Sequence, residues 1–107
     1  MNVFEKIVAG EIPCKKVLEN DEFLAFYDIA PKAKIHVLTI PKKCYKDFQN
    51  APAEVLLGLS EFTKEVAKKL GVDKSGYRII TNIGDDSGQE VPHLHFHILG
   101  GEKLKGF

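Results

Sequence analysis

Three of the four histidines in this sequence fall within five residues, His93-Leu94-His95-Phe96-His97, and Ile98-Leu99-Gly100-Gly101 follows directly. Imidazole and bulky apolar side chains alternate with period two, the pattern of a β-strand over 93–99. Successive side chains point to opposite sides of a strand, so His93, His95 and His97 share one face while Leu94, Phe96 and Ile98 pack on the other. Packing alone has little use for three adjacent imidazoles, because each buried ring nitrogen must find a partner. A functional site is expected there rather than a half-solvated strand.

Two kinds of chemistry suit three rings on one face. In the first they hold a metal: histidines at i and i+2 of a strand can share a zinc ion, and a catalytic zinc takes three protein ligands with a fourth position open. Ligand histidines hand their second nitrogen to a carboxylate or carbonyl. The acids nearest in sequence, Asp85, Asp86 and Glu90, are loop residues with no evident reason to lie behind the rings. In the second, one imidazole attacks phosphorus while the others orient it and bind oxyanions. A neutral imidazole is a good nucleophile near pH 7, its ordinary pKa is about 6.5, and neighbouring rings disfavour charging one another. The loop Gly84-Asp85-Asp86-Ser87-Gly88-Gln89 ahead of the strand offers backbone N–H groups to the phosphorus oxygens. Such an enzyme works in two displacements without a metal or other cofactor.

The rest of the chain must build a platform for that strand. Phe4, Ile7 and Val8 fall at helical spacing and Gly10 with Pro13 ends the run, which predicts a short N-terminal helix. Lys16 to Glu19 and Glu22 to Tyr27 are β-prone runs joined by Asn20-Asp21, a pair that tolerates the positive φ of a tight hairpin. Asp28-Ile29-Ala30-Pro31 breaks that pattern into a loop. Ile35 to Ile40 is a third strand ended by Pro41, with His36 on the face of Leu38 and Ile40. If it neighbours residues 93–99, His36 can bond one of the three imidazoles and fix its tautomer.

Between Asn50 and Gly71, apolar residues recur at Val55, Leu56, Leu59, Phe62, Val66 and Leu70, one face of a helix about five turns long. Asn50 and Pro52 suit its start and Gly71 its end. Glu61, Lys64, Glu65, Lys68 and Lys69 form its solvated side. Tyr77 to Ile83 is a fourth strand, and residues 102–107 are a short charged tail. The order β-β-β-α-β-β after an opening helix argues for an α+β domain, a five-stranded antiparallel sheet whose apolar face the long helix covers.

Bulk composition narrows the partners. At 107 residues the chain is expected to be one domain over 1–107, burying roughly two thirds of its unfolded surface. Fifteen basic and fifteen acidic side chains cancel, so no net field draws in nucleic acid. Cys14 and Cys44 stand thirty positions apart, a pattern of free thiols in a reducing compartment rather than of a disulfide framework. No apolar run approaches the ~20 residues that span a bilayer. A cytoplasmic location, with neither membrane nor nucleic acid as partner, is expected.

The run from His93 to Gly101 resembles the signature of the histidine triad superfamily, and its Gly-Gly ending resembles the nucleotide-binding, Hint-like branch. Phe4 to Pro13, Leu24 to Pro31, His36 to Lys43, Tyr77 to Asn82 and Ser87 to Gly101 resemble that branch in the right order. The resemblance implies the five-stranded sheet reached above, joined with a second copy into ten strands, and a purine nucleotide (AMP or GMP) or its conjugate as ligand. It implies that His95 attacks the α-phosphorus and becomes a nucleotidyl-histidine that water cleaves. The His93 carbonyl would fix the tautomer of His95, His97 would bind a phosphate oxygen, and His36 would be a supporting fourth histidine. Asp28 matches the carboxylate that takes the ribose hydroxyls, and Phe4, Ile7, Phe26, Tyr27 and Ile29 match the walls around the base. Asn82, Gly88 and Gln89 match residues near the phosphate, together with Glu90, which stands where the branch usually carries serine.

The implied activity is hydrolysis of purine nucleoside 5′-phosphoramidates, such as AMP-lysine or aminoacyl-adenylate conjugates. Hydrolysis of dinucleoside polyphosphates, or nucleotidyl transfer, is the enzymatic alternative. A nucleotide-binding scaffold whose turnover Glu90 has made marginal is the alternative of another class.

Overall fold

The computed structural model describes residues 1–107. It is an α+β fold on a five-stranded antiparallel sheet. Helix α1 spans Val3–Val8, strands β1, β2 and β3 span Lys16–Glu19, Phe23–Tyr27 and Ile35–Pro41, and helix α2 spans Ala53–Leu70. A short helix α3 (Val72–Ser75), strand β4 (Tyr77–Ile80), a 3-10 turn (Asp85–Ser87) and strand β5 (Phe96–Gly100) follow. The strands lie in the order β1-β2-β3-β5-β4.

Each boundary has a local cause. Asn2 caps α1: its Oδ1 accepts from Glu5 N at 2.8 Å while Glu5 Oε1 accepts from Asn2 N at 2.9 Å. The β1–β2 hairpin turns without any positive-φ residue. Asn20 acts through its side chain, whose Oδ1 accepts from Glu22 N and Phe23 N at 2.9 and 2.8 Å. The expected left-handed Asn-Asp turn is therefore replaced by a side-chain turn. A register shift between Lys16 and Leu18 bulges β1. There Lys69, placed by the sequence on the solvated side of α2, donates to the Val17 carbonyl at 2.6 Å.

Helix α2 begins at Pro52, which caps it with extended backbone and no side-chain bond. Asn50 does not take part, because its N and Nδ2 both donate to Asp47 Oδ1. Gly71, at φ +78°, ends the helix in the left-handed conformation glycine adopts cheaply.

Strand alternation sorts the side chains onto two sides. Phe23 and Ala25 of β2, Val37 of β3, and Phe96 and Ile98 of β5 pack with Leu59, Phe62, Val66 and Ala67 of α2. Thr39 and Thr63, both buried, share a hydroxyl hydrogen bond of 2.9 Å across that layer. The opposite side is not the purely polar face that a half-covered sheet would present. Leu24, Phe26, Leu38 and Ile40 form a second buried cluster there, closed by Phe4 of α1. The histidines emerge through this second layer. No helix is long and apolar enough to cross a membrane, and Cys14 and Cys44 are both free.

Candidate active site

The triad occupies one side of the sheet, but only His97 lies within a strand. The ladder of β5 begins at Phe96, not at His93 as the alternating pattern suggests, because the preceding backbone groups bond elsewhere. Leu94 N donates to the Tyr45 carbonyl at 2.6 Å, His93 N to the Val91 carbonyl at 2.8 Å, and the Thr81 hydroxyl donates to the His95 carbonyl at 2.8 Å. Thr81 can reach it because β4 stops at Ile80, short of the expected Ile83. Alternation nevertheless holds: Leu94, Phe96 and Ile98 all join the α2 layer, and the three rings stay together opposite. The His95 and His97 ring centroids are 5.0 Å apart, and Phe4 stands edge-on to both His95 and His93, at 5.0 and 5.7 Å.

Backbone groups settle the tautomers of His95, His93 and His36, and His36 settles that of His97. A carbonyl can only accept, so His95 Nδ1, 2.7 Å from the His93 oxygen, carries its proton and leaves the Nε2 lone pair free. His93 in turn donates from Nε2 to the Pro41 carbonyl at 2.7 Å. Its Nδ1 therefore accepts from Asn2 Nδ2 at 3.2 Å.

On the neighbouring strand, Lys32 N donates to His36 Nδ1 at 3.1 Å, so His36 carries its proton on Nε2. That proton goes to His97 Nδ1, 2.9 Å away. His97 then presents Nε2–H outward as a donor. No buried side-chain N or O lacks a partner, and neither His95 Nε2 nor His97 Nε2 has one, so both atoms reach solvent.

Electrostatics favour neutral rings. Burial lowers the pKa of His36, His93 and His95 below the ordinary value of 6.5. Burial, then the adjacent His95 and His36, push His97 down to about 4. The acid behind the rings is Asp28 rather than Asp85, Asp86 or Glu90. Its Oδ2 lies 3.5 Å from His36 Nε2 while Oδ1 accepts from Ala30 N at 2.8 Å. Donor atoms of Asp28, His36 and His97 lie within 4.8 Å of one another, a spacing open to a divalent cation. Such an ion would displace the proton that joins His36 to His97.

Around this centre Phe4, Ile7 and Phe26 form an apolar wall, and Asn82 lines the same cavity as His36 and His97. The other sequence candidates belong neither to that wall nor to that cavity. Tyr27 pairs with Val37, a residue of the α2 layer, so alternation turns its ring to the wrong side. Ile29 is 99 % exposed. The Gln89 side chain braces its own loop, accepting from Gly84 N at 3.0 Å and donating to the Lys46 and Val91 carbonyls. Gly88, at φ +82°, closes the 3-10 turn. Glu90 lines a separate cavity of about 340 Å3 with Lys46 and Asp85. Thr81 and Asn2 are the residues that pattern reading missed, since nothing in their local spacing points to the triad.

The HIT domain, as a family, matches residues 9–104. An uncharacterized HIT-like protein of Helicobacter pylori is 56% identical over 103 residues, covering 96% of this chain and 99% of that one. Among solved structures, a HIT family hydrolase from Clostridium thermocellum superposes with a TM-score of 0.93 at 38% identity, over 99% of this chain and 95% of its own. A histidine triad nucleotide-binding protein from Candida albicans superposes at 0.85 with 32% identity, over 100% and 86%.

Proposed function

The chain belongs to the HIT domain family, and from that premise we propose that it binds purine nucleotides and hydrolyses their 5′-phosphoramidates through a nucleotidyl-histidine. The observation that carries this reading is the His95 ring: neutral, held at Nδ1 by the His93 carbonyl at 2.7 Å, with Nε2 bare toward solvent. Relatives described as a HIT family hydrolase and as a histidine triad nucleotide-binding protein support it.

In the reaction the Nε2 lone pair bonds to the α-phosphorus as the P–N bond to the amine breaks. The departing nitrogen takes up a proton and leaves as an amine. Water then attacks the same phosphorus and gives up a proton while the bond to His95 breaks, so the ring returns neutral and the nucleoside monophosphate is released. His97 donates from Nε2 to a phosphate oxygen, its donor state held by His36. Asp28 takes the ribose hydroxyls, and Phe4, Ile7 and Phe26 flank the base. Glu90 lines a cavity with Lys46 and Asp85 rather than the one with His97, a placement that supports turnover over a mere scaffold. Dinucleoside polyphosphate hydrolysis is a second reading, favoured by the lysines beside His97.

The test is turnover of adenosine 5′-phosphoramidate by the protein and by His95→Asn. The expected result is AMP release by the first and a loss of at least 1,000-fold in kcat in the second, in line with removal of a nucleophile, with AMP still bound. Equal rates in both would end the proposal.

A homodimer is part of the reading. The sheet has two edges: β1 carries the charged Lys16 and Glu19, while β4 exposes Ile79, which makes β4 the joining edge. Ile79→Lys is expected to halve the mass measured by light scattering; a monomeric parent protein would refute the assembly. The site of action is the cytoplasm, where Cys14 and Cys44 stay reduced.

A further inference from the structure

On the far side of His97 from the apolar wall lies a cavity of about 450 Å3. Its floor is a patch of three adjacent strands. Ile80 pairs with His97, Arg78 with Leu99, and Leu99 with His36, so all five side chains share the triad side of the sheet. Its rim is Lys32 together with the tail residues Glu102, Lys103, Leu104 and Lys105. None of Phe4, Ile7, Phe26 or Asp28 lines it. A nucleotide with its base on that wall and its phosphorus at His95 therefore has this cavity beyond the phosphorus, where the displaced group sits.

The cavity is strongly cationic in a chain whose net charge is zero. Lys32, Lys103 and Lys105 line it without forming an ion pair. Its one acid, Glu102, has Oε2 engaged by Lys34 N at 2.7 Å. The tail that supplies two of the lysines is tied down: Arg78 donates from Nη1 to the Lys105 carbonyl at 2.8 Å and from Nη2 to the main-chain oxygen of Phe107. Arg78 is thus a strut, and the lysines are the unsatisfied charges. The Lys32 ammonium also acts on His36 and His97, adding to the effects that keep both rings neutral.

We propose that this cavity is the leaving-group subsite and that its lysines select conjugates whose departing half is anionic, bearing a carboxylate or a phosphate. The inference rests on the reading of the protein as a hydrolase of nucleotide conjugates, and refines it. Lysine linked through its Nε, one of the leaving groups the resemblance implies, presents a zwitterionic end with no net charge and gains little from this rim.

Three AMP phosphoramidates, linked through nitrogen to aspartate, alaninamide and diaminobutane, separate the charges across one kind of bond, each rate being taken relative to the same conjugate's rate in the K32A/K103A/K105A variant to cancel differences in amine basicity. The expected kcat/KM falls in that order by about tenfold or more from first to last at low salt, and the span shrinks at high salt as screening grows. In the K32A/K103A/K105A variant the ratio of aspartate to diaminobutane conjugate falls by about tenfold and no longer depends on salt. Equal kcat/KM for all three, or a span the triple variant leaves intact, overturns the proposal.

A second arm needs no turnover. Calorimetry on the His95→Asn protein compares ADP with AMP, and an ADP preference of about tenfold that the triple variant abolishes supports a phosphate-binding subsite. Charge selectivity among the amines without an ADP preference assigns the site to carboxylates. If no phosphoramidate is cleaved while the ADP preference holds, the hydrolase reading fails and the anion site stands. If cleavage proceeds with neither preference, the subsite fails alone.

Discussion

Each ring of the site has one nitrogen committed to a partner whose role is fixed. Carbonyl oxygens hold His95 and His93, and a backbone N–H holds His36. Because a carbonyl cannot donate and an N–H cannot accept, the bare Nε2 lone pair of His95 and the outward Nε2–H of His97 are set before any ligand arrives. Thr81 extends that control to the other side of His95, donating to its carbonyl at 2.8 Å. It is a positioning residue. Thr81→Val is expected to lower kcat several-fold with KM little changed and to cost about 1–2 kcal/mol of stability through the unpaired carbonyl; Thr81→Ser should restore both. A variant with unchanged kcat would show that the bond is structural only.

The triad was legible in the sequence because its signal is local, three imidazoles at period two. Thr81 and Asn2 were not, since their contacts span 14 and 91 positions and depend on how the sheet closes.

Among the elements, the short first helix, the long helix and all five strands announced themselves in the sequence, and the differences at their ends have physical causes. Strand β5 starts late because its first backbone groups are taken by Tyr45 and Thr81. Helix α3 was invisible because its four residues stand between Gly71 and Gly76, too short a span for periodicity to register. The second apolar layer went unforeseen because Leu24, Phe26, Leu38 and Ile40 resemble ordinary strand residues until α1 is seen lying on them.

Gly58 tests how tightly the other layer is closed. A Cβ there would lie 2.8 and 2.9 Å from the Phe23 ring, and Phe23 is wedged against Phe62 at 5.6 Å. Helix propensity alone would make Gly58→Ala stabilising by about 1 kcal/mol. Overpacking costs about 1–3 kcal/mol, so the expected outcome is a lower denaturant midpoint. A midpoint that rises would mean the ring yields freely.

For the whole molecule, burial makes acid the enemy of the fold. All four histidines have pKa values lowered from 6.5 in the folded chain. Below 6.5 the unfolded chain takes up protons that the folded one refuses. Stability is therefore full above that pH and falls as acid is added, until His97 protonates in place at about 4. Each histidine can contribute up to about 1.4 kcal/mol per pH unit. Urea melts should show a flat midpoint near neutrality and a decline between about pH 6.5 and 5, with a shallower decline in His97→Asn. A midpoint independent of pH in that window would contradict the neutral site.

Strand β3 is hydrogen-bonded on both edges and covered above and below, with every residue from His36 to Pro41 buried. Its amide protons should be the last to exchange with deuterium, opening only when the whole chain does. His36 rides on that strand, so the proton order it imposes on His97 is as durable as the protein itself.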